Sequence, residues 1–201
     1  MRTRLHVGSG PEIMESWVNL DNRPYPGVDM VLDVTLGLPF ENVEYVFAEH
    51  FIEHLSLDDA RNFLRESRRV LADDGVLRLS TPNLDWVWST HYHPGMWSDN
   101  AAAVNDCFAL NRAFRGWGHQ FLFNRQALEA TLRDVGFSTI TWCRYGESEH
   151  EALSDIERHE KWADAPELPH VLVVEATGVE EKPERLPNET LTDYWSAVDV
   201  S

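Results

Sequence analysis

Apolar positions recur along this chain in two rhythms. Short runs of four to six residues, dense in Val, Leu and Ile, alternate with longer stretches in which apolar residues recur every three or four positions. The first run, Leu5-His6-Val7, stops at Gly8-Ser9-Gly10. Trp17-Val18-Asn19-Leu20 follows and ends in Asp21, and 28–32 ends in Asp33. Further runs lie at 43–48 and 76–80, the second stopped by Thr81-Pro82. Such runs bounded by turn residues predict buried strands. Between them, Leu57, Ala60, Phe63, Leu64, Ser67, Val70 and Leu71 mark one face of a helix over 57–71. Ser56 or Asp58 would cap that helix, and Gly75 would end it. A second helix is predicted over 125–135, capped by Asn124 and buried through Ala127, Leu128, Thr131, Leu132 and Val135. Segments 137–144 and 170–177 read as the last two strands, paired at a sheet edge. Strand and helix alternate, which predicts an α/β protein with a doubly wound sheet.

Three segments break the alternation. Only residues 11–16 separate the first two strands, too few for a crossover helix of about ten residues, so the first helix must shrink to a turn or two. Residues 83–118 form a long excursion rich in Trp, Tyr, His and Phe. Long insertions in compact domains are functional or disordered, and this one is too aromatic for disorder. Residues 145–169 are acidic and partly helical in pattern. The expected organisation is one domain over 1–177, with 83–118 as an insertion on its acceptor side, and an acidic tail over 178–201 that docks through Tyr194 and Trp195.

Composition narrows the functional classes. The chain has 201 residues and a formal net charge of -17, which disfavours a nucleic-acid phosphate backbone as partner. The charge gathers late: residues 147–201 hold fifteen acidic and four basic side chains. No apolar run reaches the roughly 18 residues of a membrane span, and no signal segment is visible, so no membrane partner and a cytoplasmic location are expected. Cys107 and Cys143 form no metal or redox motif, in keeping with a reducing compartment. Monomer and homodimer both remain open.

The chemistry gathers at the ends of the predicted strands. Two glycines spaced one residue apart after a buried strand allow a ligand to lie against backbone N–H groups. A carboxylate at the tip of the second strand, Asp21, can accept both hydroxyls of a ribose, and Asp33 can accept from an adenine amino group.

With these positions in place, the segments LHVGSG, VNLD, VLDVTLGLPF, VFAEHFIEHL and RRVLADDGVLRLSTPNLD together resemble the class I S-adenosylmethionine-dependent methyltransferases. The likeness is nearest to a compact bacterial branch associated with polysaccharide biosynthesis. It covers residues 3–82 and extends through HQFLFNRQALEATLRDVGF to about 137. The resemblance implies a Rossmann-like seven-stranded sheet, mostly parallel with its last strand antiparallel. It also implies S-adenosylmethionine as cofactor, with Gly8 and Gly10 beside the methionine moiety, Asp21 on the ribose, Asp33 on the adenine edge, and Glu49 and His50 lining the cofactor. Neighbouring residues His6, Ser9, Asn22 and Val34 complete the implied set. Two positions depart from the family pattern: His6 stands where an acidic residue is common, and Glu12 where a third glycine often lies.

Methyl transfer from a sulfonium needs positioning and exclusion of water more than covalent help. With no room for helices before the first strand, the acceptor cover must come from 83–118. Its rings suit a sugar or a flat small molecule, and Trp86, His91, Tyr92, His93 and Trp117 are the substrate-binding candidates. A hydroxyl acceptor gains from a general base, for which histidine is suited. Among His50, His54, His91, His93 and His119, the last is favoured because it ends the excursion just before a capped helix. Glu49 is a second catalytic candidate, and His54 reads as a packing or capping residue. His91 and His93, with His119 or Asp85, could hold a metal only if extended, and no third ligand is fixed, so no metal is expected. The expected activity is O-methylation of a small molecule or glycan. Two alternatives remain: an inactive S-adenosylmethionine-binding module with a protein partner, and a nicotinamide-dependent oxidoreductase, which would need a helix N-terminus for the pyrophosphate.

Overall fold

A computed structural model describes residues 2–158 and 167–198. Seven strands form one sheet: β1 (Arg4–Val7), β2 (Val18–Asp21), β3 (Met30–Val31), β4 (Val43–Glu49), β5 (Leu71–Pro82), β6 (Thr139–Cys143) and β7 (Val171–Thr177). Their spatial order is β3-β2-β1-β4-β5-β7-β6. β1 to β5 run parallel, and β7 lies antiparallel to both β5 and β6. The expected Rossmann-like α/β sheet with an antiparallel last strand is the observed one. The order reverses at β1, between β2 and β4, and the carboxyl ends of those strands face one crevice, where ligands bind in such sheets.

The faces of the sheet are covered unequally. On one face Leu5, Val7, Val46, Leu77, Leu79 and Val174 pack against helices α1 (Leu57–Val70), α4 (Arg125–Asp134) and α5 (Asn188–Val198). The caps form as expected: Ser56 Oγ accepts from Asp59 N and Asn124 Oδ1 from Ala127 N. Phe63 and Leu64 of α1 are fully buried, each contributing about 1.5–3 kcal/mol of apolar burial. α5 docks through Leu191, with Tyr194 and Trp195 packed on the same core. On the other face Met14, Phe47, Val76, Leu153 and Ile156 form a smaller cluster with Trp17 and Tyr45. Its cover comes from the turns of 11–17 and from 151–156 with its single 3-10 turn.

Beneath that thin cover lies a buried ion triad. Arg78 of β5 is fully buried; its Nε donates to Glu157 Oε1 at 2.7 Å and its Nη1 to Glu175 Oε1 at 2.6 Å. Arg78 and Glu175 are cross-strand partners, so the triad ties the loop of Glu157 to the centre of the sheet.

Two expectations change. Residues 11–16 carry turns and no helix. In place of a helix, the buried amide of Asn19 organises them: its Oδ1 accepts from Met14 N (2.9 Å), while Nδ2 donates to Met14 O (3.1 Å) and Asp29 Oδ2 (3.1 Å). Gly75 does not end α1. The helix passes straight into β5 at Leu71, and 72–75 bulge out between the pairings Val43↔Leu71 and Tyr45↔Val76. A Cβ at Gly75 would sit 2.8 Å from Val43 O, so this glycine is there for close strand approach.

The candidate active site

The crevice holds two joined cavities, of about 490 and 680 Å³, a size usual for cofactor and substrate sites. Gly8, Gly10, His50, His54 and Trp117 line both.

The smaller cavity is built from the ends of β1, β2 and β3. Gly8 and Gly10 take left-handed φ of 67° and 53°. A Cβ on Gly8 would strike the Phe51 ring at 2.4 Å, whereas beside Gly10 the space is open. Asp21 Oδ2 accepts from Gly10 N at 2.8 Å and Oδ1 from Arg23 N at 2.9 Å, so this carboxylate fixes the glycine turn. Each oxygen retains a second lone pair for a ligand hydroxyl. Asp33 Oδ1 accepts from Thr35 N and Oγ1, and Asn22, Asp33 and Val34 all line the wall.

The larger cavity is lined by Ser9, Glu49, Glu53, Trp86, His91, Arg112, His119 and His170, among others. The excursion 83–118 supplies its far wall through α2 (Leu84–His91), α3 (Asn100–Arg115) and the turn Gly116–Gly118. Trp86 packs edge-on against His170, with centroids 4.3 Å apart. Trp117 is 72% exposed at the mouth and holds a left-handed φ of 55°, an unusual conformation for so bulky a residue. His119 follows it. Its Nδ1 donates to Ala113 O at 2.8 Å, which leaves the lone pair on Nε2. Its ring lies 5.1 Å from that of His54.

Several expected site residues lie elsewhere. His6 lines neither cavity: it is buried, stacked on Phe47 (5.5 Å), and its Nδ1 donates to Asn19 Oδ1 at 3.1 Å. Burial pushes its pKa below the ordinary histidine range, against the opposing pull of the Asn19 bond. Strand alternation sends position 6 to the face opposite Leu5 and Val7, where it takes part in the packing beneath the glycine turn. Tyr92 and His93 also stand outside the cavities. Tyr92 packs with Trp88 and Trp97, and His93 lies with Trp97 around Asp106, whose Oδ2 accepts from Trp97 Nε1 at 2.8 Å. That indole bond is the main reason Asp106 sits below the usual carboxylate range. Glu49 belongs to the larger cavity, and its carboxylate accepts from Arg158 N at 3.0 Å and bonds Tyr145. Burial first, and Glu49 second, push the Tyr145 phenol well above its ordinary range. These partners hold Glu49 as a wall of the site and compete for its lone pairs as a base.

Reading along the chain missed Glu53, Arg112 and His170, and undervalued His54. Glu53 is fully buried on a 3-10 turn, Ile52–His54, directly after β4. The adjacent Glu53-His54 pair just past a strand end was the available signal.

Fold and cleft define a Rossmann-like protein with an adenosine-sized chamber at its topological switch point and a second chamber beside it. Residues 8–79 match the family model described as a methyltransferase domain. No curated protein matches the chain in sequence. In fold the chain is similar to an S-adenosylmethionine-dependent methyltransferase from Thermotoga maritima, described as a possible histamine N-methyltransferase, at 14% identity and TM-score 0.54, covering 88% of this chain and 82% of that one. It is similar also to the apo methyltransferase SibL (13%, TM-score 0.55, 89% and 51% covered) and to the CurJ carbon methyltransferase (16%, TM-score 0.50, 89% and 49%). The chain spans about half the length of these last two.

Residues 8–79 thus carry a methyltransferase-domain match on a fold similar to that of S-adenosylmethionine-dependent methyltransferases. The residues present fit that cofactor: left-handed glycines with open space beside Gly10, and carboxylates at the ends of β2 and β3. They do not fit a dinucleotide, whose pyrophosphate needs a helix N-terminus that 11–16 do not form. Among the described residues no helix is long and apolar enough to cross a membrane.

Proposed function

We propose that the protein transfers a methyl group to a hydroxyl of a small molecule or glycan seated in the larger cavity. S-adenosylmethionine supplies the activated methyl group. In this reading Asp21 and Asp33 would hold the adenosine in the smaller cavity, and Gly8 and Gly10, which line both cavities, would leave room for the methionine moiety. Trp86 and His91 line the acceptor side, and Trp117 limits water at the mouth. His119 Nε2 would take the proton of the acceptor hydroxyl as that oxygen takes up the methyl group. The observation that carries the reading is the position of His119: in the larger cavity only, with its tautomer fixed by Ala113 O so that Nε2 accepts.

Relatives in fold are described as acting on nitrogen and on carbon, so the fold alone does not decide the acceptor atom. The carboxylate-and-histidine lining favours a hydroxyl over a neutral amine, because the hydroxyl must lose its proton as it reacts while an amine attacks with its lone pair. The test is a screen of phenols, sugars and amines with labelled cofactor, using wild type and His119→Ala. Expected is label on a hydroxyl and turnover lowered about 10²–10⁴-fold in the variant, with the Kd for S-adenosylhomocysteine unchanged. Label on nitrogen or carbon alone, or an unaffected His119→Ala, would sink the reading.

A further inference from the structure

Glu53, His54 and His119 each offer one ligand-type atom, the three atoms all within 4.8 Å of one another. We infer that this cluster is a divalent metal site of the two-histidine, one-carboxylate kind, opening into the larger cavity. This departs from the expectation of no metal, which considered His91 and His93. The structure sends those two elsewhere, His91 Nδ1 to Thr90 Oγ1 (2.8 Å) and His93 to Asp106 (3.0 Å).

Four observations converge on the inference. The Glu53 side chain is fully buried and lines the cavity; Oε2 accepts from Thr81 Oγ1 at 3.0 Å, while Oε1 makes no hydrogen bond, with His50 Nδ1 3.1 Å away. A fully buried carboxylate whose partners are one hydroxyl and one imidazole can still accept a cation at Oε1. Next, His119 donates its Nδ1 proton to a backbone carbonyl, the arrangement by which proteins orient a ligating imidazole and free Nε2. His54 has no hydrogen bond to either ring nitrogen among the described residues, and its ring faces that of His119. Finally, the two contributing segments are fastened side by side: Gln120 N donates to Glu53 O at 2.8 Å, and Gln120 Nε2 to His54 O at 2.6 Å. Donors about 2.1 Å from one ion lie roughly 3–4 Å apart, so little movement brings the three atoms onto a cation.

One carboxylate with two imidazoles suits Mn(II), Fe(II), Co(II) or Zn(II), and leaves positions open for oxygen ligands from the cavity. Its role rests on the proposed methyl transfer: the ion would bind the acceptor oxygen and lower its pKa, so that the proton passes to solvent at the cavity mouth and His119 serves as a ligand in place of a base. His119 Nε2 would then be a ligand, and activity lost in His119→Ala would not by itself separate base from ligand. The site is therefore tested by binding the metal alone. Mn(II) and Co(II) titrated calorimetrically into chelator-stripped protein should each bind once per chain, Co(II) giving visible ligand-field bands. Glu53→Gln, His54→Ala and His119→Ala should each weaken binding roughly 100-fold or more. His150→Ala, whose ring packs on Tyr45 outside both cavities, should not. If Glu53→Gln does not fold, the part-exposed His119 carries the test. Wild type binding only at millimolar metal, or variants binding as wild type does, would overturn the site. S-adenosylhomocysteine titrated into the same samples separates the readings. Binding it without metal removes the metal site and leaves the methyltransferase; binding metal without it does the reverse.

Discussion

The two cavities are made in different ways. The smaller one is local: Gly8, Gly10, Asp21 and Asp33 lie within 26 positions of one another (8 to 33), each at the end of a strand that pairs with its sequence neighbour in the sheet. The larger one is assembled from afar, with Glu53 and His54 after β4, Trp86 and His91 on α2, His119 beyond α3 and His170 before β7. Regular backbone fixes the first. Side-chain and loop contacts fix the second, and much of its excursion faces solvent: Phe108 is 74% exposed and Trp88 51%. A chamber fixed by the sheet thus sits beside one whose walls come from the excursion and its loops.

The contrast can be broken in a graded way. The largest effect is expected from Arg78→Ala, which acts on the sheet that carries both chambers by leaving Glu157 and Glu175 buried without their cation. About 3–5 kcal/mol of stability should be lost, read as a lower denaturant midpoint. A midpoint matching wild type would mean that the triad does not hold the loop of Glu157. Asp21→Ala should act on the smaller chamber alone, weakening S-adenosylhomocysteine by about 1–3 kcal/mol through lost ribose contacts and a loosened Gly10 turn. Metal binding at Glu53, His54 and His119 should stay as it was; if both ligands weaken together, the chambers are not separate. The smallest effect concerns His6. Its folded pKa is depressed, so at acid pH the unfolded chain binds the extra proton. The stability at stake is complete above the ordinary histidine pKa of about 6.5 and declines as pH falls below it. Unfolding midpoints at pH 7.5 and 5.5 should differ more in wild type than in His6→Gln, and equal differences would count against this account.

What the sequence disclosed follows the same division. Ordered strand ends, the caps Ser56 and Asn124, and the pairing of the last strands are short-range features, and periodicity reports them. The turn of 11–17 kept its secret because a single buried amide, Asn19, does the work of a helix there. His6 seemed to face the cofactor through its place beside Gly8, whereas strand alternation turns it into the packing. Gly75 followed a helix and looked like its end, but close strand approach set its identity. That His119 lines the larger cavity agrees with its position before a capped helix. The nearness of Glu53 and His54 to it was not legible, because the residues that meet there lie up to 66 positions apart (119 − 53).

That span bears on the order in which the molecule comes together. Holding Asp21 to Gly10 closes a loop of 11 residues, an entropy charge of roughly 2 kcal/mol on the (3/2)RT ln n scale. Bringing Gln120 to Glu53 closes one of 67 (120 − 53), roughly 4 kcal/mol, repaid only once β5, the excursion and α4 are in place. A nascent or partly opened chain can thus shape the smaller chamber before it can shape the larger one.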